Sequence, residues 1–138
     1  MQIKHELPPI WNKVIEAGMK PQKESTIFTY GNIIYVPNKD LELPDHLIIH
    51  EETHCKQQGS TPDAWWERYI TDPYFRIDQE IEAYANQYRF ICKSHKDRNQ
   101  RARILLELAS IVAGPIYGKM IHYQDAFKMI KNKANVNF

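Results

Sequence analysis

The chain has 138 residues, of which 43% are hydrophobic and 25% charged, enough to bury one sizeable core, so a single domain over 1–138 is expected. Lys and Arg number 18 against 17 Asp and Glu, for a net charge of +1, and Lys128, Lys131 and Lys133 form only a weak basic end, so composition argues against a nucleic-acid partner. No run of about 20 apolar residues exists, and the N-terminal MQIKHELPPIWNK lacks the apolar centre of a secretion signal. A cytoplasmic protein without a membrane partner is therefore expected. Its two cysteines, Cys55 and Cys92, have no CxxC spacing and are expected to stay reduced.

Pro8 to Met19 predicts a short amphipathic helix, opened by Pro8 or Pro9 and apolar at Ile10, Trp11, Val14 and Ile15. Thr26 to Tyr30 and Asn32 to Val36 are β-prone runs around Gly31, a pattern that predicts a tight hairpin ended by Pro37 and Asn38. An edge strand there could take an extended peptide as one more strand, although the sequence does not say which strand is the edge.

The next helix is expected from Pro44 to Gln58, with Pro44 and Asp45 suited to its first turn and Gly59 to its end. It carries HEETH, residues His50 to His54, an instance of HExxH. His50 and His54, four residues apart, share a helix face, and Glu51 sits beside the pair. Two neutral imidazoles in that relation can hold zinc, and a carboxylate next to them can take a proton from a water the metal has acidified. Glu52 points away and reads as a solvated or structural carboxylate, while Cys55 leaves the ligand face and is expected in the core.

A catalytic zinc usually has three protein ligands. The metzincin pattern would need a glycine and a histidine where Gln57 and Ser60 stand, so the third donor has to come from elsewhere. Asp63 to Ile70 predicts a short helix after Pro62, in which Trp65, Trp66 and Tyr69 either pack or wall a cleft. Asp72 to His95 predicts a long helix with an apolar face through Ile77, Ile81, Tyr84, Tyr88 and Ile91. Glu80 borders that face, whereas Glu82 falls with Asp78, Asn86 and Arg89 on the polar side. A carboxylate beside a buried stripe calls for a partner, which makes Glu80 the candidate ligand; the alternative is a salt bridge to Arg76 or Lys13. Small Ala83 on the same side would allow close helix approach.

HEETH followed by Glu80, Ala83 and Tyr84 (EIEAY) resembles the glutamate-zincin, or gluzincin, arrangement, and most of all its very small single-domain members, bacteriophage-encoded ones among them. The similarity covers residues 26 to 90. It implies that Glu80 completes the zinc site with His50 and His54, that Glu51 is the general base, and that a peptide or protein substrate is hydrolysed, in the host cytoplasm if the chain is phage-encoded. It also implies an α+β, predominantly helical, minimal zincin-like fold, with the hairpin sheet packed on the HExxH helix and a ligand helix downstream. Many larger relatives have aspartate where Tyr84 stands, so Tyr84 either replaces that partner of a zinc-bound histidine or belongs to the core.

Toward the C-terminus, Arg101 to Ile111 predicts an apolar helix broken by Gly114 and Pro115, and Tyr123 to Lys131 a last amphipathic one. Tyr84, Tyr117, His122 and Tyr123 are the candidates for stabilising an oxyanion; their alternative role is packing. The polar tail from Lys131 to Phe138 is read as disordered or as folding back over the cleft. Two readings compete with an enzyme: a catalytically silent binding or regulatory protein of zincin shape, and a helical bundle in which HEETH is coincidence. Hydrolysis of another amide, such as a peptidoglycan cross-link, would use the same atoms.

Overall fold

Prolines and left-handed glycines punctuate this chain, and the computed structural model, which describes residues 1–136, breaks its elements close to them. The described residues form six α-helices, one short 3₁₀ turn and one three-stranded sheet, so the protein is α+β and mostly helical. They group into two compact units, Met1–Asp72 and the residues from Pro73 onward, called here the N-terminal and C-terminal units.

The N-terminal unit comprises β1 (Gln2–Lys4), α1 (Trp11–Glu16), β2 (Phe28–Tyr30), β3 (Ile33–Tyr35), α2 (Asp45–Gln58) and α3 (Pro62–Thr71). The expected hairpin is present: Tyr30 pairs with Ile33, Thr29 with Ile34 and Phe28 with Tyr35. Gly31 and Asn32 form the turn, and Gly31 takes φ +62°, a conformation open to glycine at the first turn position. Sequence analysis missed β1, which runs parallel to β3 and gives the order β1-β3-β2, so β1 and β2 are the edges.

Helix α2 lies within a residue of its expected bounds. Extended Pro44 precedes it, and Gly59 at φ +55° ends it. Helix α1 is shorter than expected; Ile10 and Val14 are buried but Ile15 is exposed. In α3 the aromatic residues pack: Trp65 stacks on Tyr69 at 4.9 Å, and Trp66 meets Phe28 edge-on at 5.4 Å. Cys55 is half-buried, not in the core, and both cysteines are free.

The C-terminal unit comprises α4 (Pro73–Cys92), α5 (Arg98–Val112), the 3₁₀ turn (Pro115–Tyr117) and α6 (Tyr123–Ala134). Ile77, Ile81, Tyr84 and Tyr88 of α4 meet Leu105 and Val112 of α5 and Ile130 of α6 in one apolar core. Helix α4 stops at Cys92, short of the expected His95. There the Arg101 guanidinium donates to the carbonyls of Cys92 (2.8 Å) and His95 (2.6 Å), which satisfies acceptors that the helix end leaves open. Asp97 caps α5 by accepting from the Gln100 N–H at 2.9 Å.

The tail reading needs correction, because Lys131 to Ala134 complete α6. Ala134 is buried, Val136 packs against the core, and Arg89 donates to the carbonyls of Ala134 (3.0 Å) and Lys133 (3.1 Å). Asn137 and Phe138 lie outside the described residues. Among the described residues no helix is long and apolar enough to cross a membrane.

Candidate metal centre

One turn of α2 separates His50 from His54, and their Nε2 atoms lie 3.2 Å apart with the rings edge-on. Gln57, three residues past His54, bonds His54 Nδ1 through Oε1 at 2.8 Å. An amide oxygen only accepts, so Nδ1 carries the proton and Nε2 keeps a lone pair for a cation. Trp65 lies 5.5 Å from the His54 ring, in contact with it from α3. Both imidazoles are buried.

Glu51 is also buried. Its Oε2 lies 3.7 Å from His50 Nε2, and its Oε1 accepts from the Thr29 hydroxyl of β2 at 3.3 Å. Further hydrogen bonds tie α2 and α3 to the hairpin backbone: Gln58 Nε2 to the Thr29 carbonyl at 2.7 Å, Gly31 N–H to Gln58 Oε1 at 2.7 Å, and Trp66 Nε1 to the Thr29 carbonyl at 3.0 Å.

Sequence reasoning missed Thr29, Gln57 and Gln58. Gln57 had a local signal, since a polar residue three after a ligand histidine can reach its ring. It also passed over His46, one turn before His50, which completes a ladder of three histidines on one face. His46 is half-buried, and burial lowers its pKa below the ordinary value; Asp45 opposes that shift and His50 adds to it.

On α4, Glu80 is only 3% exposed, Asp78 is exposed and Glu82 is half-buried, in keeping with Glu80 as the carboxylate bordering the core. Arg76 and Tyr84, also buried, stand one turn to either side of it. The Tyr84 and Tyr117 hydroxyls share a hydrogen bond of 2.8 Å, and Arg76 Nη1 donates to the Tyr117 carbonyl at 3.5 Å. His122 caps α6, accepting from the Gln124 N–H through Nδ1 at 3.2 Å, and its ring lies against exposed Tyr123 at 4.7 Å.

The ligand atoms of His50, His54 and Glu80 all lie within 4.8 Å of one another, and all three residues are buried, so they form a group that could hold a metal ion. Compared with protein-family models, curated proteins and solved structures, the chain matches none of them, and a functional reading therefore rests on the site's own chemistry.

Proposed function

We propose that the chain is a zinc-dependent metallopeptidase of gluzincin type, with His50, His54 and Glu80 as ligands and Glu51 as general base. The observation that carries this reading is the pair of imidazole Nε2 atoms 3.2 Å apart, with the Glu51 carboxylate 3.7 Å from one of them. Two nitrogens each about 2.05 Å from a tetrahedral zinc are separated by roughly 3.3 Å, so the donor spacing fits that ion. Two imidazoles and a carboxylate are also the donor types of a catalytic zinc site that leaves a position open.

His50, His54 and Glu80 would hold the zinc, which would supply Lewis acidity and make a water more acidic. Glu51 takes a proton from the attacking water and later delivers it to the leaving amine. Gln57 fixes the tautomer of His54 by accepting from Nδ1. Of the candidates for stabilising the oxyanion, Tyr84, one turn from Glu80 on α4 and bonded to the Tyr117 hydroxyl, is the one proposed; His122 is instead committed to the start of α6, with Tyr123 against its ring. A purely structural metal site would have no use for a buried carboxylate in the position of Glu51, which favours an enzyme over a silent binding protein. The substrate proposed is an intracellular peptide or protein.

Elemental analysis of protein purified without a metal-affinity tag tests the reading. The expected result is stoichiometric zinc in the native chain, its loss in His54→Ala and in Glu80→Ala, and cleavage of a peptide library by the native chain alone. Native protein that takes up no zinc even after supplementation would overturn it.

A further inference from the structure

We infer that Thr29 is a positioning residue for Glu51, held in place by Gln58, whose side chain occupies the outer edge of β2 as a neighbouring strand would. In a hairpin with a two-residue turn, Tyr30 and Ile33 form a hydrogen-bonded pair, so the next pair, Thr29 and Ile34, is non-bonded. The main-chain groups of Thr29 therefore face away from β3. That outward carbonyl accepts from Gln58 Nε2 at 2.7 Å, and Gln58 Oε1 accepts from the Gly31 N–H at 2.7 Å. One side-chain amide thus supplies both the donor and the acceptor of a strand's peptide group. Trp66 Nε1 adds a second donor to the same carbonyl at 3.0 Å.

Gln58 is 2% exposed and Thr29 1%, so a peptide could take these main-chain groups only by expelling a buried amide. The Thr29 carbonyl and the Gly31 N–H are thus committed to the Gln58 amide. The Thr29 hydroxyl lies 3.3 Å from both Glu51 Oε1 and the Glu51 carbonyl oxygen. Its single proton is shared between them, which accounts for two contacts longer than an ideal O–H···O bond. With β-branched χ1 stiffness and a clamped backbone, this hydroxyl is a fixed donor that holds the Glu51 carboxylate in one orientation. A general base has to be placed within hydrogen-bond reach of the proton it removes, and Thr29 sets that placement.

The kinetic consequence rests on the metallopeptidase reading; the positional one does not. Thr29→Val keeps the shape and deletes the donor, and Thr29→Ser restores the donor. Three measurements test the inference on the full chain: zinc content, kcat and KM on a cleaved library peptide, and the Glu51 side-chain orientation in crystal structures. Thr29→Val is expected to keep its zinc and KM, to lower kcat about 10- to 100-fold, and to show Glu51 turned or in several orientations, while Thr29→Ser recovers most of kcat. A native-like kcat in Thr29→Val, or an equal loss in Thr29→Ser, overturns the positioning role and leaves the peptidase reading intact. If the native chain holds zinc but cleaves nothing, the peptidase reading fails, and the Glu51 orientation in Thr29→Val alone decides the inference: unchanged, it fails too.

Discussion

The polar cluster of the N-terminal unit and the apolar core of the C-terminal unit bury different kinds of side chain, although the C-terminal unit also buries Arg76, Glu80 and Gln87. The N-terminal unit encloses Thr29, His50, Glu51, His54 and Gln58, which hydrogen bonds or ion-pair contacts link to one another or to the hairpin backbone, and Thr53, whose hydroxyl donates to the Ile49 carbonyl of its own helix. The core of the C-terminal unit is apolar, built from Ile77, Ile81, Leu105, Val112 and Ile130 with small alanines, and a polar atom buried in it, the Tyr88 hydroxyl, has no hydrogen-bond partner. Burying polar groups is unfavourable unless each is satisfied, so a protein concentrates them where chemistry requires them. Greasy packing elsewhere supplies the stability that such a site does not. Mutations in the polar cluster and in the apolar core should therefore report on different quantities.

The sharpest contrast comes from Glu51→Gln. On the proposed mechanism it removes the general base while leaving the shape of the site, so peptide hydrolysis should fall about 10²- to 10⁴-fold with zinc content unchanged. Steady-state kinetics together with elemental analysis separates this from metal loss; equal falls in zinc and activity would mean that Glu51 acts through the metal and not on the water. Gln58→Ala should produce a smaller effect, on stability. It strips the Gly31 N–H of its acceptor and the Thr29 carbonyl of one of two donors, a loss of about 1–3 kcal/mol readable by urea denaturation. A value near zero would show that the amide is not a structural part of the sheet edge.

What the sequence disclosed follows the same division between local and distant causes. Helix α2 was legible because Pro44 and Gly59 bracket it and its motif is four residues long in spacing; the hairpin was legible because Gly31 supplies the turn. Strand β1 was not, since three residues are too few to show alternation and their partner strand is some thirty positions away, Gln2 against Ile33. Glu80 stood out against the apolar stripe of α4, yet Thr29 and Gln58 did not. Their roles exist only once residues 29 apart are folded together, and a threonine in a β-prone run carries no mark of that use. The last turn of α6 was misread for a different reason: Lys131, Asn132 and Lys133 suggested a tail, although buried Ile130 and Ala134 continue the four-residue spacing of the helix.

Tyr88→Phe should have the smallest effect and tests the other side of the comparison. Tyr88 is fully buried, and the Cys92 thiol one turn on is its polar neighbour, so its hydroxyl sits in the core at a desolvation penalty with no strong bond in return. Removing it should leave stability unchanged or raise it by up to about 1 kcal/mol, with zinc content untouched. The pH dependence gives an independent check. Burial, and after it the Cys92 thiol, raises the phenol above its ordinary value of 10.0, so above that pH the unfolded chain releases this proton and the folded chain retains it. Native stability should therefore fall relative to the Tyr88→Phe variant as pH rises past 10.0, and the two should run parallel below it. Curves that stay parallel throughout would mean that the hydroxyl is hydrated in the folded protein, and that the C-terminal core is less closed than its packing indicates.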